Sequence, residues 1–163
     1  MIKHVIDLYQ FNLNFAHSLV KDISLEQMVQ QPHNVVNHPA WTLGHLVMTA
    51  NGLTTLIGLE ANIPEGWDKI FITGSIPSGN AADYPAKEEL LSNLSAAHER
   101  NATALETIDL AFLDHPHPNE KLRKHFPTIG ALAIFLMTSH EMDHLGQLAA
   151  WRRAMGLGAA PRN

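Results

Sequence analysis

Apolar residues recur at helical spacing in four stretches of the chain. In the first, Ile2, Val5, Ile6, Tyr9, Leu13, Ala16 and Val20 share a face, which predicts helix 1 over residues 2–20. In the second, Trp41, Leu43, Leu46, Val47, Ala50, Leu53, Leu56 and Ile57 predict helix 2 from Pro39 to Leu59. Asn37-His38-Pro39 reads as its start, because Asn or His can cap and proline is tolerated in a first turn. In the third, Leu90, Leu91, Leu94, Ala97, Ala104, Leu105 and Ile108 predict helix 3 over residues 85–108, with Glu88, Glu89, Glu99 and Arg100 as a solvated face. The fourth runs unbroken by proline from Thr128 to Gly156 and predicts one long helix 4. Thr128 can cap its start and Gly156 can take the residue past its end. Arg152 and Arg153 suit the negative end of the helix dipole.

Residues between these stretches are polar or rich in turn formers. Ile23 to Asn37 reads as a connection with a short helical turn near Leu25 to Val29. Glu60 to Pro85 is a long loop rich in Gly, Pro, Asn and Ser, and loops of that length usually serve a function. Its Trp67, Ile70 and Phe71 are expected to pin it to the bundle; the alternative is a cover over a pocket mouth. Asp109 to Pro127 is the other connection, where His115, His117 and His125 are expected to be exposed. The tail from Leu157 is expected to be loose. The pattern is that of an all-α four-helix bundle, one domain over residues 1–163, with long connections between helices 2 and 3 and between helices 3 and 4.

Composition narrows the class. A net charge of -5 argues against a general nucleic-acid binder. The chain has no cysteine, which excludes disulfides, thiolate metal sites and a cysteine nucleophile. The N-terminus lacks the cationic start and apolar run of a signal peptide, and no stretch reaches the roughly 20 apolar residues of a membrane span. The cytoplasm is the expected location. Eleven histidines make metal binding worth testing.

The chemistry concentrates on helix 4. Its stripe Ile129, Leu132, Leu136, His140, His144, Gln147 and Trp151 begins apolar and turns polar. Two imidazoles one turn apart on a core face are costly unless satisfied, either by hydrogen bonds or by a metal ion on which an i, i+4 pair converges. His140-Glu141-Met142-Asp143-His144 matches the H-E-x-x-H zinc peptidase motif. The third ligand of such a site lies downstream, and no His, Asp or Glu follows His144. A di-iron bundle fails too: Glu141-x-x-His144 is the only Glu-x-x-His pair, and helix 2 carries no acid. An upstream ligand remains, and His45 on helix 2 is the best placed, although alone it reads as a core histidine. Gly44 beside it permits close approach of another backbone. His17 reads as a rim histidine, and His98 is ambiguous.

Three histidines leave coordination positions open, the layout of a catalytic metal. Trp41-Thr-Leu-Gly-His45-Leu, His140-x3-His144-x-Gly146-Gln147, Trp151-Arg152-Arg153 and the helix start Tyr84-Pro85-Ala86-Lys87-Glu88-Glu89-Leu90 together resemble the DinB-like (YfiT-like) superfamily. The resemblance covers nearly the whole chain. It implies a four-helix bundle, a divalent metal on His45, His140 and His144, and frequently a homodimer. Nickel or zinc is the first expectation for the ion, iron or manganese the second. Relatives of this kind include thiol transferases that use bacillithiol, mycothiol-dependent isomerases and proposed metal-dependent hydrolases.

The reading is therefore a metal-dependent hydrolase or small-thiol-dependent transferase acting on a small-molecule substrate, with no nucleic-acid or membrane partner. The ion would lower the pKa of a water or of a thiol, and any thiol must arrive as a low-molecular-weight co-substrate. Glu141 is a candidate acid–base group, though it reads more readily as a surface glutamate. Asp143 is a candidate acceptor for a ligand histidine. Gln147, one turn after His144, could orient it or contact the bound water. The alternative is a non-catalytic metal-binding stress or binding module.

Overall fold

The computed structural model describes residues 2–161; Met1 and the last two residues of the tail, Arg162 and Asn163, lie outside it. Among the described residues there are seven α-helices and no strand, only an isolated bridge between Pro116 and Thr128. Four long helical stretches form the bundle: α1 (Ile2–Val20), α2 (Pro39–Leu56), α4 (Lys87–Thr107) and a C-terminal stretch. The last comprises α6 (Ile129–Phe135), a π turn (Leu136–His140) and α7 (Glu141–Ala154). α2 packs along α4, and α1 lies against both α4 and the C-terminal stretch.

The starts follow the predicted chemistry. The His38 ring caps α2 by accepting from the Trp41 amide at 3.2 Å. The Thr128 hydroxyl caps α6 by accepting from the Ala131 amide at 3.1 Å. At the far end, Gly156 has φ +74°, and the Gly156 and Leu157 amides turn back onto the Arg153 and Arg152 carbonyls. α2 ends three residues before the predicted Leu59, because Gly58 and Leu59 fold back onto the Thr55 and Thr54 carbonyls in the same way.

Four details differ from the sequence reading. Helix 4 is not a plain α-helix: the π turn interrupts it. The two connections carry short helices, α3 (Trp67–Phe71) and α5 (Leu110–Leu113). His117 is buried, its Nδ1 accepting from the Asn119 amide at 3.0 Å, whereas His115 and His125 are exposed. The tail is not loose up to Ala160: Leu157 and Ala160 pack on the core.

Arg152 explains the packed tail. Rather than lying in solvent at a helix end, it is fully buried, and its guanidinium donates to the Leu19 carbonyl (2.8 Å), to both oxygens of Asp22 and to the Ala159 carbonyl. It places a cation at the carbonyl end of α1 and ties α1, α7 and the tail together.

The core is layered. Leu19, Leu43, Leu46, Phe71, Leu90, Leu94 and Trp151 fill the larger cluster; Tyr9, Leu53, Leu105 and Met137 fill the smaller. Each fully buried side chain of this size contributes roughly 1.5–3 kcal/mol from removal from water. The long connection after α2 is fastened rather than free, with Trp67 and Phe71 both buried in the larger cluster, in agreement with a pinning role.

Candidate metal centre

His45 projects from the middle of α2, His140 from the end of the π turn and His144 from the first turn of α7. One nitrogen from each ring lies within 4.8 Å of the others, and the ring centroids are 4.7–5.4 Å apart. Among the described residues no acid joins the three, so the cluster is purely imidazole.

Each ring is held toward its neutral form. Burial pulls all three histidines below the ordinary imidazole range, and the neighbouring rings push His140 and His144 further down. His144 is held at about 4, principally by burial. His45 Nδ1 donates to the Phe71 carbonyl at 2.8 Å, which fixes the proton there and leaves Nε2 with a free lone pair. The Trp41 indole stacks on the His45 ring at 4.8 Å and 6°. The Nδ1 atoms of His140 and His144 are buried with no hydrogen-bond partner. Unpaired buried nitrogens, neutral rings and a fixed tautomer suit a divalent ion of the kind imidazole binds, such as nickel or zinc.

Gly44 has the role predicted for it, with one change. The group that approaches is the Phe71 ring, not a backbone: a Cβ on Gly44 would lie 2.2 Å from it. The cap of α2 and two residues on it hold the following connection. His38 Nε2 donates to the Ser78 carbonyl (2.9 Å), the Trp41 indole N–H to Ser75 Oγ (2.8 Å), and His45 to Phe71.

The weaker candidates fall elsewhere. Glu141 is buried, not on the surface, and its carboxylate accepts from His98 Nε2 at 2.8 Å. Burial raises its pKa, with His98 and Asn12 pulling the other way. Gln147 is exposed and bridges Asn37 (3.2 Å) and Asp143 (3.1 Å), so it does not orient His144. Asp143 takes that bond, and its charge opposes the lowering of the His140 and His144 pKa values; the acceptor that holds a histidine of the cluster is the Phe71 carbonyl, bonded to His45.

Sequence reasoning missed a buried polar network beside the centre. The His98 ring stacks on Tyr9 at 3.6 Å. Asn101 donates to the Tyr9 hydroxyl and the Ala50 carbonyl, and accepts from the Thr54 hydroxyl. Asn12 donates to the Met137 carbonyl at 3.1 Å. A signal was present: Asn12 lies three residues after Tyr9, on the inward stripe of α1.

A comparison with curated proteins finds no match. The sequence pattern that defines the DinB superfamily matches residues 9–148, a span that includes all three histidines. With that match over most of its length, an all-helical bundle and a histidine triad that can hold a divalent metal, the chain belongs to the DinB superfamily.

Proposed function

We propose that His45, His140 and His144 hold a divalent metal, nickel or zinc in preference to iron or manganese, and that the protein is a metal-dependent hydrolase or small-thiol-dependent transferase. When bound, such an ion supplies Lewis-acid chemistry that makes a water or a thiol nucleophilic near neutral pH. One observation carries this reading: three inward-facing, neutral imidazoles converge with no fourth protein ligand among the described residues. A structural site closes its coordination with protein groups, and a catalytic one leaves a position open. The chain's own residues hold the ligands in place. Trp41 covers one face of the His45 ring, and the Phe71 carbonyl holds its proton. Of the two polar candidates, Gln147 is exposed to an arriving substrate, and Glu141 is turned to His98. A cysteine-free chain needs its thiol as a co-substrate, which fits a reduced cytoplasm.

The alternative, a non-catalytic metal-binding module, is favoured by a different observation. A cavity of about 510 Å³ lies between α1, α7 and the tail, lined by Phe11, Phe15, Leu19, Arg153 and Ala160, and does not include the histidines.

Elemental analysis of untagged protein, wild type beside His45→Ala and His144→Ala, tests the site. About one metal per chain in the wild type and none in the variants is expected. A wild type that takes up no nickel, zinc or manganese would sink the enzyme reading. With metal present, hydrolase and thiol-transfer assays separate the two activities, and inactivity in both favours the binding module.

A further inference from the structure

The π turn ends on His140, and it solves a problem of phase. The inward positions of the C-terminal stretch are Ile129, Ala133, Met137, Glu141 and Leu145, all buried. They step by four. In a regular α-helix each step of four overshoots a full circle by about 40°, so four steps would carry the face about 160° round. A π turn accommodates one extra residue and takes back about 100°. Both halves then pack: Ile129 and Ala133 before the turn, Glu141 and Leu145 after it. In a regular helix with its first half packed as here, His140 and His144 would swing about 100° away from His45.

A π turn also leaves a backbone carbonyl without its usual helical donor, and a buried carbonyl needs one. The Met137 carbonyl lies inside the turn, on a residue with no exposure. The amide four residues on, that of Glu141, is turned to the Thr138 carbonyl, and the Met137 carbonyl accepts from Asn12 Nδ2, itself 3% exposed, at 3.1 Å. On the other side of the turn, Glu141 is fixed by His98 at 2.8 Å.

We propose that Asn12 is a positioning residue for the histidine centre: by satisfying the Met137 carbonyl it holds the π turn that brings His140 and His144 into register with His45. The proposal rests on the metal reading above. It assigns Asn12 no contact with metal or substrate, only an effect carried through the backbone of the turn and the Glu141 carboxylate beside it.

The test uses full-length wild type, Asn12→Ala, Asn12→Ser and, as a control for loss of stability, Leu90→Ala, a buried position in the larger core cluster. Each is titrated with Co²⁺ against a competing chelator, and the visible d–d absorption of the loaded protein is recorded. The Asn12 variants are expected to bind Co²⁺ at least about tenfold more weakly and with shifted bands. Leu90→Ala is expected to melt earlier but to keep wild-type affinity and bands. Should Asn12→Ala fail to fold, the smaller change to Ser carries the comparison. Asn12 variants with wild-type bands and affinity within about twofold of wild type would overturn the proposal, whatever their melting temperature. A wild type that takes up no Co²⁺ would remove the metal reading itself, an outcome the same titration displays separately.

Discussion

At the scale of single residues, the centre depends on contacts that hold its ligands rather than on the ligands alone. Gly44 is the clearest case. It is helical and needs no special φ; it is required because the Phe71 ring occupies the space of its side chain. The Phe71 carbonyl in turn fixes the His45 tautomer. Gly44→Ala is therefore expected to cost about 1–3 kcal/mol of stability through overpacking, and to weaken metal binding as well. Denaturant unfolding and chelator competition measure the two effects. A variant with lower stability but unchanged affinity would show that Phe71 moves its ring without moving its carbonyl. The convergence of His45, His140 and His144 was foreshadowed by the one-turn spacing of the pair and, for His45, by elimination joined to the family resemblance. The direction of Glu141 was not, because its partner His98 sits 43 residues away on another helix and carries no local signal.

At the scale of elements, periodicity located the four bundle helices to within a few residues at either end. It missed the π turn because the reading followed Leu132, Leu136, His140 and His144, an edge of the true inward face. The buried series Ile129, Ala133, Met137, Glu141, Leu145 steps by four throughout, a longer period than a regular α-helix keeps, and that spacing was present in the sequence. Arg152 likewise read as a dipole partner for its own helix but serves the end of α1. Arg152→Met is expected to destabilise the protein by about 1–3 kcal/mol, chiefly because the buried Leu19 carbonyl loses its donor. Asp22 is half exposed, and the Arg152 hydrogen bond lowers its carboxyl below the ordinary range. Its contribution is present above the unfolded carboxyl value and is lost as pH falls through the lowered folded value. A melting series from pH 7 down into the acid range should show that component in wild type and not in the variant.

At the scale of the whole molecule, the question is what covers the outer face of the bundle. Leu8 (54% exposed) and Phe11 (57%) on α1 meet Met142 (38%) across a shallow groove. The resemblance to proteins that are frequently dimeric makes a second copy of this chain the proposed occupant. Sedimentation of wild type is expected to give twice the 18.0 kDa chain mass, and Phe11→Glu to give the monomer. A monomeric wild type at micromolar concentration would discard the dimer and leave the metal reading untouched. No described helix is long and apolar enough to cross a membrane. The layered core was predictable in outline from the apolar stripes. Of the polar layer beside the centre only Asn12, on the inward stripe of α1, left a signal; Thr54 and Asn101 read alone as ordinary polar residues, and only the fold brings them to Tyr9.

The fastening of the connection after α2 has a thermodynamic corollary. His38, Trp41 and His45 grip Ser78, Ser75 and Phe71, and the same His45 would offer its other nitrogen to a bound ion. Any free energy by which the seated connection strengthens ion binding must reappear, undiminished, as a stronger grip on the connection once the ion is bound. Coupling of this kind is symmetric, so a small molecule that displaces Phe71 acts as a competitor of the metal without touching it, and the metal acts as a competitor of that molecule.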